Sequence, residues 1–261
     1  MINRLIAPPS VPSGFGKQNI SLKSKEVNET NRTPPLTVAI PTLTQYTKLA
    51  RLCESLSTKE FSGEQSEAPR IFILDNGGQL LNSPEGRELA EKPNIAIVTP
   101  SYNLGVAGSW NFFAREIGRC LISNDDVVFG TDAIREFEEA ARLHPDAIII
   151  ENDDRSFGFS TFLLNKPNKW LAMGGFDELF NPSYFEDDDA RRRLDLARAP
   201  AVKIKLKNWA HESSSTMRNG DSIHQRMFWC LFNRNEQYYV QKWGGKPGSE
   251  IYRQPFGGKK S

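Results

Sequence analysis

Residues 120–129 read Cys120-Leu121-Ile122-Ser123-Asn124-Asp125-Asp126-Val127-Val128-Phe129. They set end to end a short apolar run, a polar tip of one amide and two carboxylates, and a second apolar run. A run such as Arg119–Ile122 fits a strand inside a covered sheet. In an open α/β sheet, ligands bind beyond the carboxyl ends of the strands, so this tip is the first place to look for a site. Carboxylate oxygens are hard ligands suited to Mg²⁺ or Mn²⁺, which commonly sit between one or two carboxylates and substrate phosphates. An Asn/Asp turn between two strands explains the same residues without a ligand. Taken alone, the tip leaves the two readings level.

Upstream lie three more buried runs: Leu36–Thr42, closed by Pro41; Ile71–Leu74, followed by Asp75-Asn76-Gly77-Gly78; and Ile95–Val98. Between the first two, Leu49, Leu52, Cys53 and Leu56 share one helical face. Residues 79–92 are polar and hold a short helix. Asn103-Leu104-Gly105-Val106-Ala107-Gly108-Ser109-Trp110-Asn111 enters a helix reaching about Gly118. Downstream, Asp132 can cap a helix carrying Ile134, Phe137 and Ala141, and Ala147–Ile150 is another strand. This β-α alternation predicts an α/β fold with a Rossmann-like, mostly parallel central sheet and helices on both faces.

After Glu151 the texture changes. Phe157–Leu164 reads as an isolated strand, Trp170–Phe180 and Tyr184–Arg193 as a loop and helix rich in charge and aromatics. Val202–Leu206 is a further strand and Ile223–Phe232 a helix. The expected organisation is a flexible or surface-wrapping arm over 1–35, one domain over 36–232, and a polar, Gly-rich tail over 233–261. Within the domain, 36–150 is the nucleotide-binding-like half and 151–232 the second half.

Composition narrows the class. The 261 residues are 38% hydrophobic and 25% charged, an ordinary soluble balance. A net charge of +1 gives no global field to recruit nucleic acid or membrane. Cys53, Cys120 and Cys230 are scattered in apolar stretches, so buried thiols are expected and no disulfide framework. No run approaches the ~18 apolar residues of a membrane helix. The N-terminus has no apolar signal-peptide core, and a reducing cytoplasm is the expected location.

Four constellations can carry chemistry. Pro41-Thr42, Asp75-Asn76 and Asn124-Asp125-Asp126 end parallel strands and should converge on one crevice. A turn accounts for Asn76-Gly77-Gly78, whereas a functional Asp75 would accept hydrogen bonds from a nucleobase or ribose; local reading leans to the turn. Gly105 and Gly108, with Asn103 and Asn111, do not meet the G-x-G-x-x-G dinucleotide fingerprint. They fit either close backbone approach of an anion to a helix start or small residues packed against the sheet. Tyr184-Phe185-Glu186-Asp187-Asp188-Asp189, then Arg191-Arg192-Arg193, is a helix start whose carboxylates suit a solvated face or a general base. Gly174-Gly175-Phe176-Asp177-Glu178 lies just upstream. Last, His211 leaves a strand before Ser213–Thr216, and imidazole beside carboxylates favours Mn²⁺ over Mg²⁺.

In this order the motifs resemble those of family 2 glycosyltransferases, which have the GT-A fold. The matching residues are Val38-Ala39-Ile40-Pro41-Thr42, Leu74-Asp75-Asn76-Gly77, Asn103-x-Gly105 with Asn111, Asn124-Asp125-Asp126, Gly174–Glu178, Phe185-Glu186-Asp187-x-Asp189, and His211 with Ser214-Ser215-Thr216. The resemblance spans residues 36–216 and implies metal-dependent, inverting transfer of a sugar from a nucleotide-sugar, with uridine the favoured base, to an acceptor hydroxyl. It implies that Thr42 and Asp75 hold the base, and that Asn103, Gly105 and Asn111 line the donor site. Asn124 and Asp125 would bind ribose, Asp126 and His211 the Mn²⁺ or Mg²⁺. Asp187 would be the acceptor base with Glu186 beside it. One departure is Asn124, where the family's pattern has an acid; it leaves Asp126 to carry the protein–metal bond almost alone. The Tyr238-Tyr239…Trp243-Gly244-Gly245 tail looks similar to tails of small phage and bacterial glycosyltransferases, and reads as a lid on the acceptor side or as a strap closing the domain. Acceptors span glycan, lipid carrier, protein and modified DNA base, with DNA disfavoured by the near-neutral charge. A nucleotidyltransferase is the first alternative, although Thr42-Leu43-Thr44-Gln45 lacks its Gly-rich basic loop. A non-catalytic nucleotide- or sugar-binding module is the second.

Overall fold

The computed structural model describes residues 36–57, 68–151, 159–207, 209–211 and 222–258. The arm expected over 1–35 and the hydroxyl run Ser214-Ser215-Thr216 lie outside them. The strands are β1 (Thr37–Thr42), β2 (Arg70–Asp75), β3 (Ile95–Val98), β4 (Cys120–Ser123), β5 (Val127–Val128), β6 (Ile148–Glu151), β7 (Thr161–Leu164), β8 (Ala201–Ile204) and β9 (Ala210–His211). The helices are α1 (Tyr46–Ser55), α2 (Pro84–Ala90), α3 (Gly105–Glu116), α4 (Ala133–Leu143), α5 (Pro167–Ala172), α6 (Glu186–Ala197) and α7 (Ser222–Trp243).

Seven strands form one sheet in the order β3-β2-β1-β4-β7-β6-β8, and β5 pairs with β9 in a second, two-stranded sheet. In the large sheet β1 runs parallel to β2 and β4, β2 to β3, and β6 to β8, while β7 is antiparallel to both neighbours. The mostly parallel α/β architecture is therefore as expected. The strand read as isolated is a central one. Its residues alternate between the two cores, Leu163 into one and Phe162 and Leu164 into the other. Such a strand must be covered on both faces.

The same alternation organises the rest of the sheet. Val38, Ile40 and Leu121 face a core shared with Leu49 and Leu52 of α1 and Phe137 of α4. Ala39, Cys120 and Ile122 face a core shared with Trp110 and Phe113 of α3, Trp170 of α5 and Leu194 of α6. The β1 and β4 tips are thus held from both sides, which fixes where the polar residues at those tips project.

Other differences have local causes. Asp132 stands at the start of α4 but makes no capping hydrogen bond and pairs with Arg135 at 2.7 Å. Cys53 and Cys120 are buried, but Cys230 is exposed on α7. The helix expected to stop at Phe232 runs on to Trp243. Tyr239 and Trp243 are buried against Phe180 and Phe185, with Phe232 packed alongside. Residues 233–243 of the expected tail continue this helix: Asn233, Arg234, Gln237 and Gln241 are exposed on it, while Asn235 and Lys242 are buried. No described helix is long and apolar enough to cross a membrane.

Candidate active site

The neighbouring strands β1 and β4 bring Thr42 and Asp125 together: the Thr42 hydroxyl donates to Asp125 Oδ2 at 2.7 Å. Burial pushes the Asp125 carboxyl up to about 7; the Thr42 hydrogen bond and the Lys48 charge oppose that shift, and the neighbouring Asp126 carboxylate reinforces it. Asn124 ties the tip to the sheet, its backbone N–H donating to Ser160 O at 2.8 Å.

The small sheet builds the next part. Val127 pairs with His211 and Val128 with Ala210. That register sets His211 beside Asp126, with Nε2 at 3.2 Å from Asp126 Oδ1, and both side chains are largely buried. Two cis ligands each ~2.1 Å from one octahedral cation stand about 3 Å apart, so the pair has the separation and chemistry of two metal ligands. Nδ1 of His211 is buried without a hydrogen-bond partner among the described residues. No group of three His, Cys, Asp or Glu among the described residues could hold a metal. Further ligands would have to come from substrate or water.

The third part is the start of α6. Tyr184 and Phe185 both take left-handed backbone conformations, with φ of 80° and 73°. For residues with a Cβ this costs ~1–2 kcal/mol each, and such strain gathers at functional sites. These two residues lead directly into α6, whose first residues are Glu186 and Asp187. Glu186 is buried, with Oε2 lacking a described partner. Burial, reinforced by Asp187, holds its carboxyl well above the usual range. Asp187 is half-buried and accepts the Asp188 N–H at 2.9 Å. Burial pushes its carboxyl up to about 7, with Asp188 adding to the shift and Arg191 opposing it. The Tyr184 phenol is raised by burial and by the charges of Glu186, Asp126 and Asp187. It therefore lies in the field of both the Asp126 side and the Glu186–Asp187 side of the site.

Several candidates are spent on the protein itself. Asp75 is fully buried. Its carboxylate accepts from the N–H groups of Gly77, Gly78 and Leu80 and from the Tyr46 hydroxyl. These are the bonds that the turn reading expects. Asn103 Oδ1 accepts the Gly105 N–H at 2.8 Å in a local Asx turn. Gly105, at φ 69°, permits the close approach of Asn181 and Pro182 rather than of an anion. The Leu104 and Val106 N–H groups are likewise taken, by Asn76 Oδ1 and Pro182 O. Asn111 is buried and holds both the N–H and C=O of Phe176, plus Glu178. These residues shape the wall of the site.

The sequence reading named Tyr184 and Asn76 without giving either a role of its own, and offered the residues of the clamp behind α6 only as a strap. Asn76 joins the β2 tip to α3 through Ser109 and Leu104. Asp189, fully buried, takes Trp243 Nε1 at 2.9 Å, Lys242 Nζ at 2.6 Å and Arg193 Nε at 2.9 Å. The aromatic pair directly before Glu186-Asp187 was the one available signal for Tyr184. A cleft of about 590 Å³ lies between α3, α5, α6 and α7, lined among others by Asn111, Arg115, Glu178, Arg193 and Lys242. Its cations are paired with Glu178, Asp189 and Asp177, and it includes neither the strand tips nor Glu186–Asp187.

The mostly parallel seven-stranded sheet with helices on both faces is an α/β architecture that solved glycosyltransferases share. One is a mannosyltransferase from Pyrobaculum calidifontis in complex with GDP-Man and Mn²⁺: TM-score 0.52, 14% identity, covering 67% of this chain and 56% of that one. Another is TarS of S. aureus: TM-score 0.54, 11% identity, covering 79% of this chain and 40% of that one. Residues 1–349 of TarS in complex with UDP-GlcNAc give TM-score 0.53 at 12% identity, covering 78% and 70%. The chain thus spans about half the length of the first two. No family model matches the chain, and no curated protein matches it in sequence.

Proposed function

We propose that this chain is a metal-dependent, inverting glycosyltransferase that moves a sugar from a nucleotide-sugar, a UDP-sugar first, to an acceptor hydroxyl. The observation that carries it is the β5–β9 register, which sets Asp126 against His211, with the Thr42–Asp125 pair next to Asp126 in sequence and the left-handed Tyr184–Phe185 pair directly before Glu186–Asp187. Structural neighbours solved with GDP-Man and with UDP-GlcNAc support a nucleotide-sugar donor.

In this reading Thr42, Asn124 and Asp125 meet the nucleoside, and Asp75, Asn103, Gly105 and Asn111 hold the walls. Asp126 and His211 would hold Mn²⁺ or Mg²⁺, which when bound supplies Lewis-acid stabilisation of the diphosphate leaving group. Asp187 takes the proton of the acceptor hydroxyl as that oxygen bonds to the anomeric carbon. The carbon–oxygen bond to the diphosphate breaks and its electron pair leaves with the nucleoside diphosphate. One displacement inverts the centre. Glu186, whose carboxyl is raised well above the usual range by burial and by Asp187, lies beside the base.

The test is release of nucleoside diphosphate from UDP- and GDP-sugars, with water or an added acceptor as nucleophile. Asp187→Asn should keep nucleotide binding and lose ~10²-fold or more in release, the usual weight of a general base. Near-normal release by this variant removes Asp187 from the role. A nucleotidyltransferase would instead release pyrophosphate, and a binding module nothing.

A further inference from the structure

The segment from Phe180 to Phe185 carries the chain into α6, and each of its backbone carbonyls has a partner. Pro182 O accepts the Val106 N–H of α3 at 2.7 Å, and Phe185 O accepts the Asp189 N–H of α6 at 2.9 Å. The other carbonyls go to two adjacent residues of α7. Asn235, fully buried, donates from Nδ2 to Phe180 O at 2.8 Å, to Ser183 O at 2.9 Å and to Tyr184 O at 3.4 Å. Arg234 donates to Asn181 O. An amide nitrogen has two N–H groups, so Phe180 O and Ser183 O take one each and Tyr184 O shares. Arg234 Nε and Nη2 donate to Asn235 Oδ1 at 3.2 and 3.0 Å, which sets the end of the amide that faces the carbonyls. Ser183 O and Tyr184 O belong to the two peptide groups that flank the Tyr184 Cα. Holding both planes holds the left-handed φ and ψ of Tyr184, a conformation unfavourable for a residue with a Cβ.

We propose that Asn235, oriented by Arg234, is the positioning residue for Asp187: it holds the Tyr184 turn in the conformation that places the Asp187 carboxylate for the acceptor hydroxyl. The inference rests on the reading of Asp187 as the acceptor-side base, and it gives the C-terminal helix a part in the reaction. Anchoring α7 does not require a polar residue at this position. Tyr239 and Trp243 already bury aromatic surface against Phe180 and Phe185. A buried amide adds little to that anchoring, because its hydrogen bonds replace bonds to water. What it adds is direction, and its N–H groups are spent on the segment that ends at Glu186 and Asp187.

The experiment reads nucleoside diphosphate release from UDP- and GDP-sugars by the full chain, by its Asn235→Leu variant, and by both again carrying Asp187→Asn. Binding of UDP and GDP with Mn²⁺ is measured alongside. The Asp187 carboxyl is titrated by carbon NMR, with Asp187→Asn as the assignment control. Asn235→Leu should keep nucleotide binding and lose ~10-fold or more in kcat, towards the ~10²-fold that a ~1 Å misplacement costs. In the Asp187→Asn background the same change should cost nothing further, because its effect runs through Asp187. The Asp187 midpoint should fall from about 7 towards the ordinary carboxylate range as the turn loosens and water enters. Equal losses in both backgrounds overturn the proposal, as do release equal to that of an active parent, an unchanged midpoint, or loss of nucleotide binding. Arg234 is exposed, so Arg234→Ala serves where Asn235→Leu does not fold. It should show the same pattern at smaller size, and no change in it overturns the proposal. If the midpoint falls while the parent chain releases no nucleoside diphosphate, the positioning stands and the transfer reading falls.

Discussion

In the proposed transfer, Asp187 and Glu186 would give the site its pH behaviour. With the Asp187 carboxyl pushed up to about 7, it holds a proton below that value and can take none from an acceptor. Transfer should therefore climb as pH rises through about 7 and then level. A flat single-turnover profile from about pH 5.5 to about 8.5 would contradict a titrating base there. Stability moves the other way. Both carboxyls bind protons more tightly folded than unfolded. Their stabilisation is full below the ordinary carboxylate range and is lost as pH rises through the raised values. Glu186→Gln, neutral throughout, should lose less melting temperature than the parent between about pH 5 and about pH 8. At this scale the sequence named candidates for chemistry, since Asn124–Asp126, Glu186–Asp187 and His211 are reactive types at strand and helix ends. It did not show which polar groups the backbone would claim. Asp75 and Asn111 look alike to a reader of motifs, and only the packed structure reveals that N–H groups 2.8–3.2 Å away occupy them.

The elements behind the site have their own tests. Gly175 takes φ 61°, and a Cβ there would stand 2.6 Å from Asn111 Oδ1, the atom that holds Phe176 N–H. Gly118 takes φ 83° with open space around it. Both alanine variants carry the ~1–2 kcal/mol of left-handed backbone, and Gly175→Ala must also displace Asn111. Denaturant unfolding should rank Gly175→Ala well below Gly118→Ala; equal losses would mean that the Asn111 contact is slack. Lys242, 8% exposed at its side chain, bridges Asp177 and Asp189 at 2.7 and 2.6 Å. Lys242→Met takes from Asp177 its Lys242 partner and from Asp189 one of two cations, Arg193 remaining, and should cost ~1–3 kcal/mol by the same measurement. A loss within error would show that α7 does not clamp α6. This clamp was partly legible: Phe232, Asn235, Tyr239 and Trp243 recur at helical spacing. The polar residues between them disguised the helix as a tail.

Across the whole molecule, the architecture was legible because it follows from apolar periodicity. Buried runs ending in Asn or Asp, alternating with helical faces, leave few alternatives to a mostly parallel covered sheet. Strand partners were not legible, because Thr161–Leu164 is equally apolar whether it stands alone or lies between β4 and β6. The closeness of Asp126 and His211, which the resemblance implied, could not be read from local pattern, since it depends on the pairing of β5 with β9, 82 residues apart counted from Val128 to Ala210. That pairing is what the functional account depends on most. The most direct test is the melting temperature of the full chain with UDP, GDP and their sugar conjugates, with and without Mn²⁺, beside an Asp126→Asn, His211→Gln double variant. Binding to the native state must raise it by mass action. The account predicts a rise with one nucleotide that requires Mn²⁺ and vanishes in the double variant. No rise with any nucleotide, or a rise that the double variant retains, would contradict it.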